Sequence, residues 1–437
     1  MNQNKGFTIP EILLPKENID LTKWAVVACD QFSSEPAYWD SVEQIVGNAP
    51  STLRLTYPEA YLETGSKEAR IETINRTMNE YLNNGMFRNI GKGIIYIERT
   101  FSDKKKAPRK GLILAVDLEY YDFQKGSVSL IRATEGTIQE RIPPRVAIRK
   151  NAPIEFPHIL ILIDDRENRV MKAVEKAAKS VVYDFDLMKN SGHLRGSFLS
   201  NPQDTDAVCE ALNTLADKEA FRNRYGSDDV LLFAVGDGNH SLATAKTLWE
   251  TRKPSLTAAE RETDPARYAL VEINNIYDDG IVFEPIHRVL FDADTEKLKT
   301  AFAQEAGVRW TPCTADAAAL ERFAENVTDK QKFYLFDKNN CWEASVDTPL
   351  STITAGTVQT VLDAFLKKEN GKIDYIHGIA STLTLGRQPH NIGIVLPNIA
   401  KEEFFETVIR DGAFPRKTFS MGEATEKRFY MEGKLIK

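Results

Sequence analysis

Apolar residues follow two patterns along the first two thirds of the chain. Residues 159–163 and 230–235 are unbroken apolar runs, which are typical of strands buried on both faces of a sheet. Residues 67–83 instead place apolar side chains such as Ile71 and Ile74 on one side of an amphipathic helix. These patterns predict a buried sheet with helices packed against it.

The same patterns predict further elements in both halves of the chain. The predicted strands are residues 24–29, 93–97, 112–118, 159–163, 181–185, 230–235, 333–336, 342–346 and 392–396. The predicted helices are residues 67–83, 168–180, 204–217, 241–251, 296–306, 315–324 and 358–368. We therefore expect an α/β (mixed α+β) fold. A mixed sheet core would occupy residues 1–291, and a smaller C-terminal α+β region would occupy residues 292–437.

Composition and charge restrict the class of protein. The 437 residues are 42% hydrophobic and 27% charged, as in globular proteins, and the net charge of −7 argues against general nucleic-acid binding. No apolar run approaches the roughly 20 residues of a membrane-spanning helix, and residues 1–15 do not resemble a secretory signal. The four cysteines show neither C-x-x-C nor zinc spacing. We expect a cytoplasmic protein with free thiols.

The strongest candidate for chemistry follows the apolar run at residues 230–235. The loop before the helix predicted at residues 241–251 consists of Gly236, Asp237, Gly238, Asn239, His240 and Ser241. Two glycines allow a sharp turn and close approach of a ligand, and the N–H groups at a helix start suit a phosphate. Asp237 could bind a metal or accept a proton, and His240 could transfer one. A helix cap alone would need only one polar side chain, so we interpret the loop as part of an active site.

A group of arginines supplies candidate anion ligands. It consists of Arg132, Arg141, Arg145 and Arg149. Apolar residues separate them, so some should lie near the core and need anionic partners. The Pro-Pro pair before Arg145 would open a helix that places Arg145 and Arg149 on one face. Their guanidinium forks suit phosphate or carboxylate groups, and a solvated basic face is the alternative.

Polar residues also flank the strand predicted at residues 159–163. Asp164 and Asp165 follow it and could hold Mg²⁺, although an acidic turn or helix cap would use the same residues. His158 precedes the strand and would either contact an anion or serve the structure.

Several loops contain glycine beside polar residues. Lys189 and His193 flank one such loop, and residues 416–422 form a basic one. Residues 373–378 also contain a histidine next to glycine. Each is either a ligand-binding loop or an ordinary surface loop.

Six short motifs are spread over nearly the whole chain: IRATEG at 131–136, FPHI at 156–159, YDFD at 183–186, GH at 192–193, AVGDGNHSLA at 234–243 and YIHG at 375–378. Together they resemble the bacterial and archaeal family called domain of unknown function 1015. That family was defined without a function.

The loop at residues 237–241 is also similar to the Asp-Gly-His-His-Arg loop of free serine kinases built on the ParB/sulfiredoxin-like fold. In those kinases the loop holds donor phosphates, and its aspartate takes part in phosphoryl transfer to the serine hydroxyl. The resemblance implies that a ParB/sulfiredoxin-like strand-loop-helix element is present, with Asp237 at the reacting hydroxyl and His240 at a phosphate. Ser241 stands where the kinases have arginine, so another cation would have to replace it.

Residues and resemblance together predict a phosphotransferase that acts on a small hydroxyl metabolite, with L-serine converted to O-phosphoserine. The donor would be ATP, ADP or pyrophosphate, with Mg²⁺ held by Asp164 and Asp165. The predicted catalytic residues are Asp237, His240 and Glu135. The predicted phosphate or substrate ligands are Arg132, Arg141, Arg149, Gly236, Gly238, Asn239, Ser241, Lys189, His193 and His158.

Two alternatives remain open at this point. One is a phosphoserine phosphatase that uses the same site, and the other is a non-catalytic nucleotide-binding regulator. The expected partner is a small anionic molecule, with no nucleic acid and no membrane, and a homodimer is allowed.

Overall fold

The computed structural model describes residues 5–62, 64–136, 142–314, 316–325, 331–369 and 371–437, with the side chain of Pro144 excepted. The chain folds into two compact units. The first consists of Met1–Ala133, Thr137–Ile281 and Glu423–Lys437, and the second of Thr134–Gly136 and Val282–Gly422. This division differs from the predicted regions 1–291 and 292–437, because the last residues of the chain return to the first unit.

The strands, in chain order, are β1 (Phe7–Thr8), β2 (Glu11–Pro15), β3 (Phe87–Lys92), β4 (Ile94–Thr100), β5 (Arg109–Asp117), β6 (Tyr121–Asp122), β7 (Ile131–Arg132), β8 (Ile154–Glu155), β9 (Leu160–Ile163), β10 (Ser180–Asp186), β11 (His193–Leu199), β12 (Phe233–Asp237), β13 (Tyr268–Asn275), β14 (Phe283–Phe291), β15 (Val308–Pro312), β16 (Lys332–Phe336), β17 (Cys341–Val346), β18 (Lys372–His377), β19 (Ile392–Val395), β20 (Phe419–Met421) and β21 (Lys434–Leu435).

The α-helices are α1 (Leu21–Trp24), α2 (Pro36–Val46), α3 (Lys67–Asn83), α4 (Ile142–Arg149), α5 (Arg169–Lys176), α6 (Pro202–Thr214), α7 (Lys218–Tyr225), α8 (Asn239–Arg252), α9 (Ala258–Thr263), α10 (Thr295–Ala306), α11 (Ala317–Glu325), α12 (Thr354–Glu369), α13 (Ile379–Gly386) and α14 (Lys401–Asp411).

A mixed sheet forms the centre of the first unit. Its strand order is β10-β11-β4-β5-β13-β9-β12-β7-β6, and β1 also pairs with β5. Strand β9 runs parallel to β13 and antiparallel to β12. Side chains alternate between the two faces of a strand. Ile113 accordingly belongs to one apolar cluster, whereas Leu112 and Leu114 belong to another. The predicted mixed α/β fold is confirmed.

The pairing of β9 with β12 determines where the glycine-rich loop lies. Asp237 at the end of β12 pairs with Leu160 at the start of β9. The register shifts between Val235 and Asp237, so Gly236 lies at a bulge, which changes the direction of the side chains that follow. The residues after β12 and those before β9 therefore lie close together, where β12 ends and β9 begins.

One predicted strand, at residues 24–29, is wrong. Asp20 accepts hydrogen bonds from two N–H groups of α1, so the apolar run begins inside a short helix. Beyond it, Val27 forms only an isolated bridge with Phe429. Trp24 and Val27 are fully buried in the same apolar cluster. These apolar residues therefore belong to a buried irregular segment. The spacing of apolar residues alone does not distinguish such a segment from a buried strand.

The second unit contains an antiparallel sheet of order β15-β17-β16-β19-β14-β18, with β20 beside part of β14. The predicted strands at residues 333–336 and 342–346 are confirmed as the hairpin β16–β17. Leu320 and Phe323 of α11 pack against Phe336 in its core. Every helix in the described part of the chain is too short or too polar to span a membrane.

Candidate functional site

The loop between β12 and α8 has the tight backbone that its glycines predict. Gly238 has a φ of 80° and is the N-cap of α8. A Cβ atom on Gly238 would stand 3.1 Å from Cα of Ile159, so a side chain would crowd the residue before β9. Oδ1 of Asp237 accepts the N–H of Gly238 at 2.8 Å. Helix α8 begins at Asn239, so residues 239–241 form its first turn, at the positive end of the helix dipole.

An acid and a histidine lie beside this loop. Nε2 of His158 is 3.5 Å from Oδ2 of Asp30, and Nδ1 is 2.9 Å from the hydroxyl oxygen of Tyr430. The main-chain N–H of Cys29 donates to the same hydroxyl oxygen at 3.0 Å. Gln31 donates to Oδ1 of Asp30 at 3.0 Å. Both sides of the imidazole are therefore held by hydrogen-bonding groups.

The electrostatic surroundings favour the charged forms of this pair. Burial would lower the pKa of His158, but the charge and hydrogen bond of Asp30 outweigh it and the pKa is raised. The charge of Asp237 acts in the same direction. Burial would raise the pKa of Asp30, but His158 and Lys427 hold it well below its ordinary value. The surroundings thus favour a carboxylate for Asp30 and an imidazolium for His158.

The C-terminal strap, which we define as residues 424–436, contributes two groups to the site. Nζ of Lys427 lies 3.2 Å from Oδ2 of Asp237, and Tyr430 supplies the hydroxyl beside His158. The strap pairs with residues that precede α2, since the N–H of Tyr430 donates to the carbonyl oxygen of Val26. The end of the chain is therefore part of the candidate site.

Arg428 anchors this strap in the interior. Its guanidinium nitrogens lie 2.5 Å from carboxylate oxygens of Glu272 and Glu432, and Nε donates to the carbonyl oxygen of Pro157 at 3.0 Å. All three charged side chains are almost fully buried. Because Pro157 directly precedes His158, Arg428 also fixes the main chain that carries the histidine.

A second ion pair borders the Asp30–His158 pair. Arg145 of α4 is hydrogen-bonded to Glu59, and the side chains are 21% and 19% exposed. The N–H of Glu59 donates to the carbonyl oxygen of Cys29 at 2.8 Å, which places Glu59 next to Asp30. Burial and the charge of Asp30 raise the pKa of Glu59 and outweigh the lowering by Arg145 and His158. Both charged side chains of this pair are partly exposed to solvent.

Cys29 is unsuited to nucleophilic catalysis. Burial and the charge of Asp30 raise the pKa of its thiol to about 12. The thiolate is the reactive form of cysteine, so this side chain stays unreactive near neutral pH.

Two of the predicted arginine ligands are engaged elsewhere. Arg132 is buried and donates to the carbonyl oxygens of Ser129 and Asp229. Arg149 pairs with the buried Glu155. Arg141 lies outside the described residues. Of the four arginines, the structure places Arg145 beside the candidate site.

Asp164 and Asp165 lie at the other end of β9 from His158. Asp164 is 2.8 Å from Nη1 of Arg224 and accepts the hydroxyl of Tyr225. Oδ2 of Asp165 accepts the N–H of Val170 at 2.8 Å and thereby supports the start of α5. Asp237 pairs with Leu160 at the start of β9, whereas Asp164 and Asp165 follow the end of this strand. The length of β9 therefore separates these two acids from Asp237. Within the described ranges, no three acidic, histidine or cysteine side chains are grouped as a metal site.

Two other predicted ligands, His193 and Lys189, are hydrogen-bonded to side chains outside the glycine-rich loop. His193 is held by Asp186 at 2.7 Å and by Asp184 at 2.5 Å. Lys189 donates to the hydroxyl of Ser41 at 2.7 Å. Glu135 belongs to the second unit.

Four members of the candidate site were not predicted from the sequence: Asp30, Glu59, Lys427 and Tyr430. The sequence contains a signal for Asp30, because an acid directly after a buried apolar run often lies at the edge of a core. The sequence contains no such signal for Tyr430, because this residue is 272 residues from His158 along the chain.

Replacement of His158 by glutamine is expected to change how stability depends on pH. A group whose pKa is raised on folding stabilises the protein fully below its unfolded pKa, about 6.5 for histidine, and this contribution disappears as the pH rises through the folded pKa. The lowered pKa of Asp30 adds stability above about 3.9, which is lost only as the pH falls through its folded pKa. The wild-type protein should therefore lose stability as the pH rises from about 6.5 through the folded pKa of His158.

Melting temperatures between pH 5 and 9 measure this effect. His193→Gln is the matched control, because the pKa of His193 is also raised although the group is more exposed. This decline should be reduced more in His158→Gln than in His193→Gln, because solvent screens the more exposed His193. Identical profiles for His158→Gln and the wild type would contradict the charged pair.

Solved structures similar to the chain share little sequence with it. A free serine kinase in complex with AMP is 11% identical, with 74% of this chain and 92% of that chain covered and a TM-score of 0.38. A conserved hypothetical protein from Pyrococcus furiosus is 12% identical, with coverages of 73% and 90% and a TM-score of 0.34. SbnI with a C-terminal truncation, from Staphylococcus aureus, is 10% identical, with coverages of 73% and 85% and a TM-score of 0.35.

Comparison with proteins of curated function gave no match. Residues 12–365 match the sequence profile of a family described as protein of unknown function, DUF1015. The chain belongs to this family.

Proposed function

We propose that the chain is a phosphotransferase that phosphorylates the hydroxyl group of a small metabolite, with L-serine as substrate and O-phosphoserine as product. The observation that carries the proposal is the placement of the Asp30–His158 pair beside the glycine-rich loop and the Asp237–Lys427 pair. One pair offers a proton acceptor, and the other lies where a helix begins and phosphate is favoured. The similarity of this loop to the loop of free serine kinases supports the same reaction.

In the proposed reaction, Asp30 accepts the proton of the substrate hydroxyl. The hydroxyl oxygen forms a bond to the transferred phosphorus while the bond from phosphorus to the leaving oxygen of the donor breaks. Asp30 suits this role because its carboxylate is ionised and 28% exposed. Phosphoryl transfer depends mainly on positioning and charge neutralisation, so a weakly basic carboxylate is sufficient. His158 and Tyr430 would orient Asp30 as positioning residues.

The donor, ATP, ADP or pyrophosphate, would lie at the start of α8. Lys427, His240 and the N–H groups of residues 239–241 would neutralise the phosphate charge. Mg²⁺ is commonly bound by one or two carboxylates together with substrate phosphates, so Asp237 fits a metal that the donor brings with it. There it would neutralise charge on the phosphate oxygens. Asp164 and Asp165 would then serve the fold.

Phosphoryl transfer to L-serine is the direct test. The purified chain is incubated with L-serine, Mg²⁺ and each donor in turn, and O-phosphoserine is measured by phosphorus NMR. We expect product with at least one donor, and no product with any donor contradicts the proposal. Phosphate release from O-phosphoserine alone would indicate a phosphatase instead. Nucleotide binding without turnover would indicate a regulator, and a ligand at a hundredfold excess over Kd should add about 2.7 kcal/mol of stability.

A further inference from the structure

We infer that Glu59 and Arg145 bind the charged backbone of an amino-acid substrate, Glu59 its ammonium group and Arg145 its carboxylate. The inference rests on the proposed function and names the class of acceptor: a zwitterion with a side-chain hydroxyl. It assigns a role to the one ion pair of the site that the transfer step itself does not use.

The position of the pair fits this role. The N–H of Glu59 is hydrogen-bonded to the carbonyl oxygen of Cys29, the residue next to Asp30. The charge of Glu59 also acts on His158. In a β-hydroxy amino acid only a few bonds separate the hydroxyl from the ammonium and carboxylate groups. A substrate held by Glu59 and Arg145 would therefore present its hydroxyl on the side of Asp30.

The pair can exchange its internal partner for a ligand. About one fifth of each side chain is exposed, 19% for Glu59 and 21% for Arg145. Both side chains reach solvent, so a ligand can approach the pair and supply a new partner to each. A zwitterion offers an opposite charge to each member, so neither side chain is left without a charged partner after the exchange. The fully buried pair of Arg428 and Glu272 has no such freedom.

The charge balance of the site selects the same class. The site contains three acids, each paired with one basic side chain: Asp30 with His158, Glu59 with Arg145 and Asp237 with Lys427. A zwitterion leaves this balance unchanged. A hydroxy acid would add an unpaired negative charge and an amino alcohol an unpaired positive one, and a partly buried unpaired charge is costly.

Three acceptors with a hydroxyl group allow the contact of Glu59 with the ammonium and that of Arg145 with the carboxylate to be tested separately. L-Serine carries both charges, 3-hydroxypropionate lacks the ammonium and ethanolamine lacks the carboxylate. With the wild-type protein and one donor, we expect kcat/KM for L-serine to exceed that for the other two roughly ten- to hundredfold, because each loses a charge-assisted contact. Equal kcat/KM values for all three overturn the inference.

Single variants then assign the contacts. Glu59→Gln should lower kcat/KM for L-serine and ethanolamine and spare 3-hydroxypropionate. Arg145→Met should lower it for L-serine and 3-hydroxypropionate and spare ethanolamine. The spared acceptor shows that each variant is folded. Glu43→Gln and Arg54→Met are matched controls, because Glu43 and Arg54 form a comparable ion pair in the same unit. If either variant lowers kcat/KM equally for all three acceptors, the assignment is overturned.

Calorimetric titration measures the binding of L-serine without phosphoryl transfer. It therefore tests the roles of Glu59 and Arg145 independently of the proposed reaction. If the wild-type protein binds L-serine and both variants lose that binding, the inference stands even where no phosphate is transferred, and only the proposed reaction fails. Unchanged L-serine binding in both variants, or no binding to the wild type, overturns the inference.

Discussion

Replacement of Asp30 by asparagine is expected to lower kcat for phosphoryl transfer by roughly 10²- to 10⁴-fold, the range for loss of a general base. Asparagine keeps the size of the side chain and its hydrogen bond from Gln31 but cannot accept the hydroxyl proton. It also removes the negative charge that raises the pKa of His158. The expected result is therefore a folded protein with impaired turnover and largely unchanged KM.

Asp206→Asn is the matched control, since this acid lies on the exposed surface of α6 in the same unit. Circular dichroism and the melting temperature show whether the Asp30 variant is folded. A folded Asp30→Asn protein with wild-type kcat would show that Asp30 is not the base, and Asp237→Asn would then be the next variant to assay.

Replacement of Arg428 by methionine is expected to destabilise the first unit by about 3–5 kcal/mol, as when one partner of a buried ion pair is removed. Arg428 is the shared partner of Glu272 and Glu432, and both carboxylates would remain buried without it. The strap would also lose its hydrogen bond to Pro157. Because the strap carries Lys427 and Tyr430, loss of stability should be accompanied by loss of turnover.

Urea denaturation followed by circular dichroism measures the free energy of unfolding. Arg76→Met is the control, because Arg76 pairs with Glu80 on the exposed side of α3 and its loss should change the free energy by less than about 0.5 kcal/mol. A change below about 1 kcal/mol for Arg428→Met would mean that the buried network contributes little to the docking of the strap.

Local sequence patterns predicted much of the first unit correctly. The amphipathic period of residues 67–83 gave helix α3 with its observed bounds, because that period follows from 3.6 residues per turn alone. The apolar runs that became β9 and β12 were found for a similar reason, since strands buried on both faces need no polar positions. The glycines at 236 and 238 also predicted the tight loop before α8 from local conformational preference.

The composition of the site required the tertiary structure. An arginine in an apolar context needs a polar partner, but only the fold decides whether that partner is a carbonyl oxygen, as for Arg132, or an acid beside the site, as for Arg145. Asp164 was placed correctly after β9, yet the direction of the strand puts it at the opposite edge from His158.

The sequence by itself thus determined the helices and strands with a clear period, the strand-loop-helix element at Asp237 and the family. Only the tertiary structure decided that Asp30 meets His158 and that the strap brings Lys427 to Asp237. The physical reason is that period, turn and capping preferences act over a few residues. Electrostatic and hydrogen-bond partners depend on distances in space, and chain positions as far apart as Cys29 and Tyr430 become neighbours only when the whole unit folds.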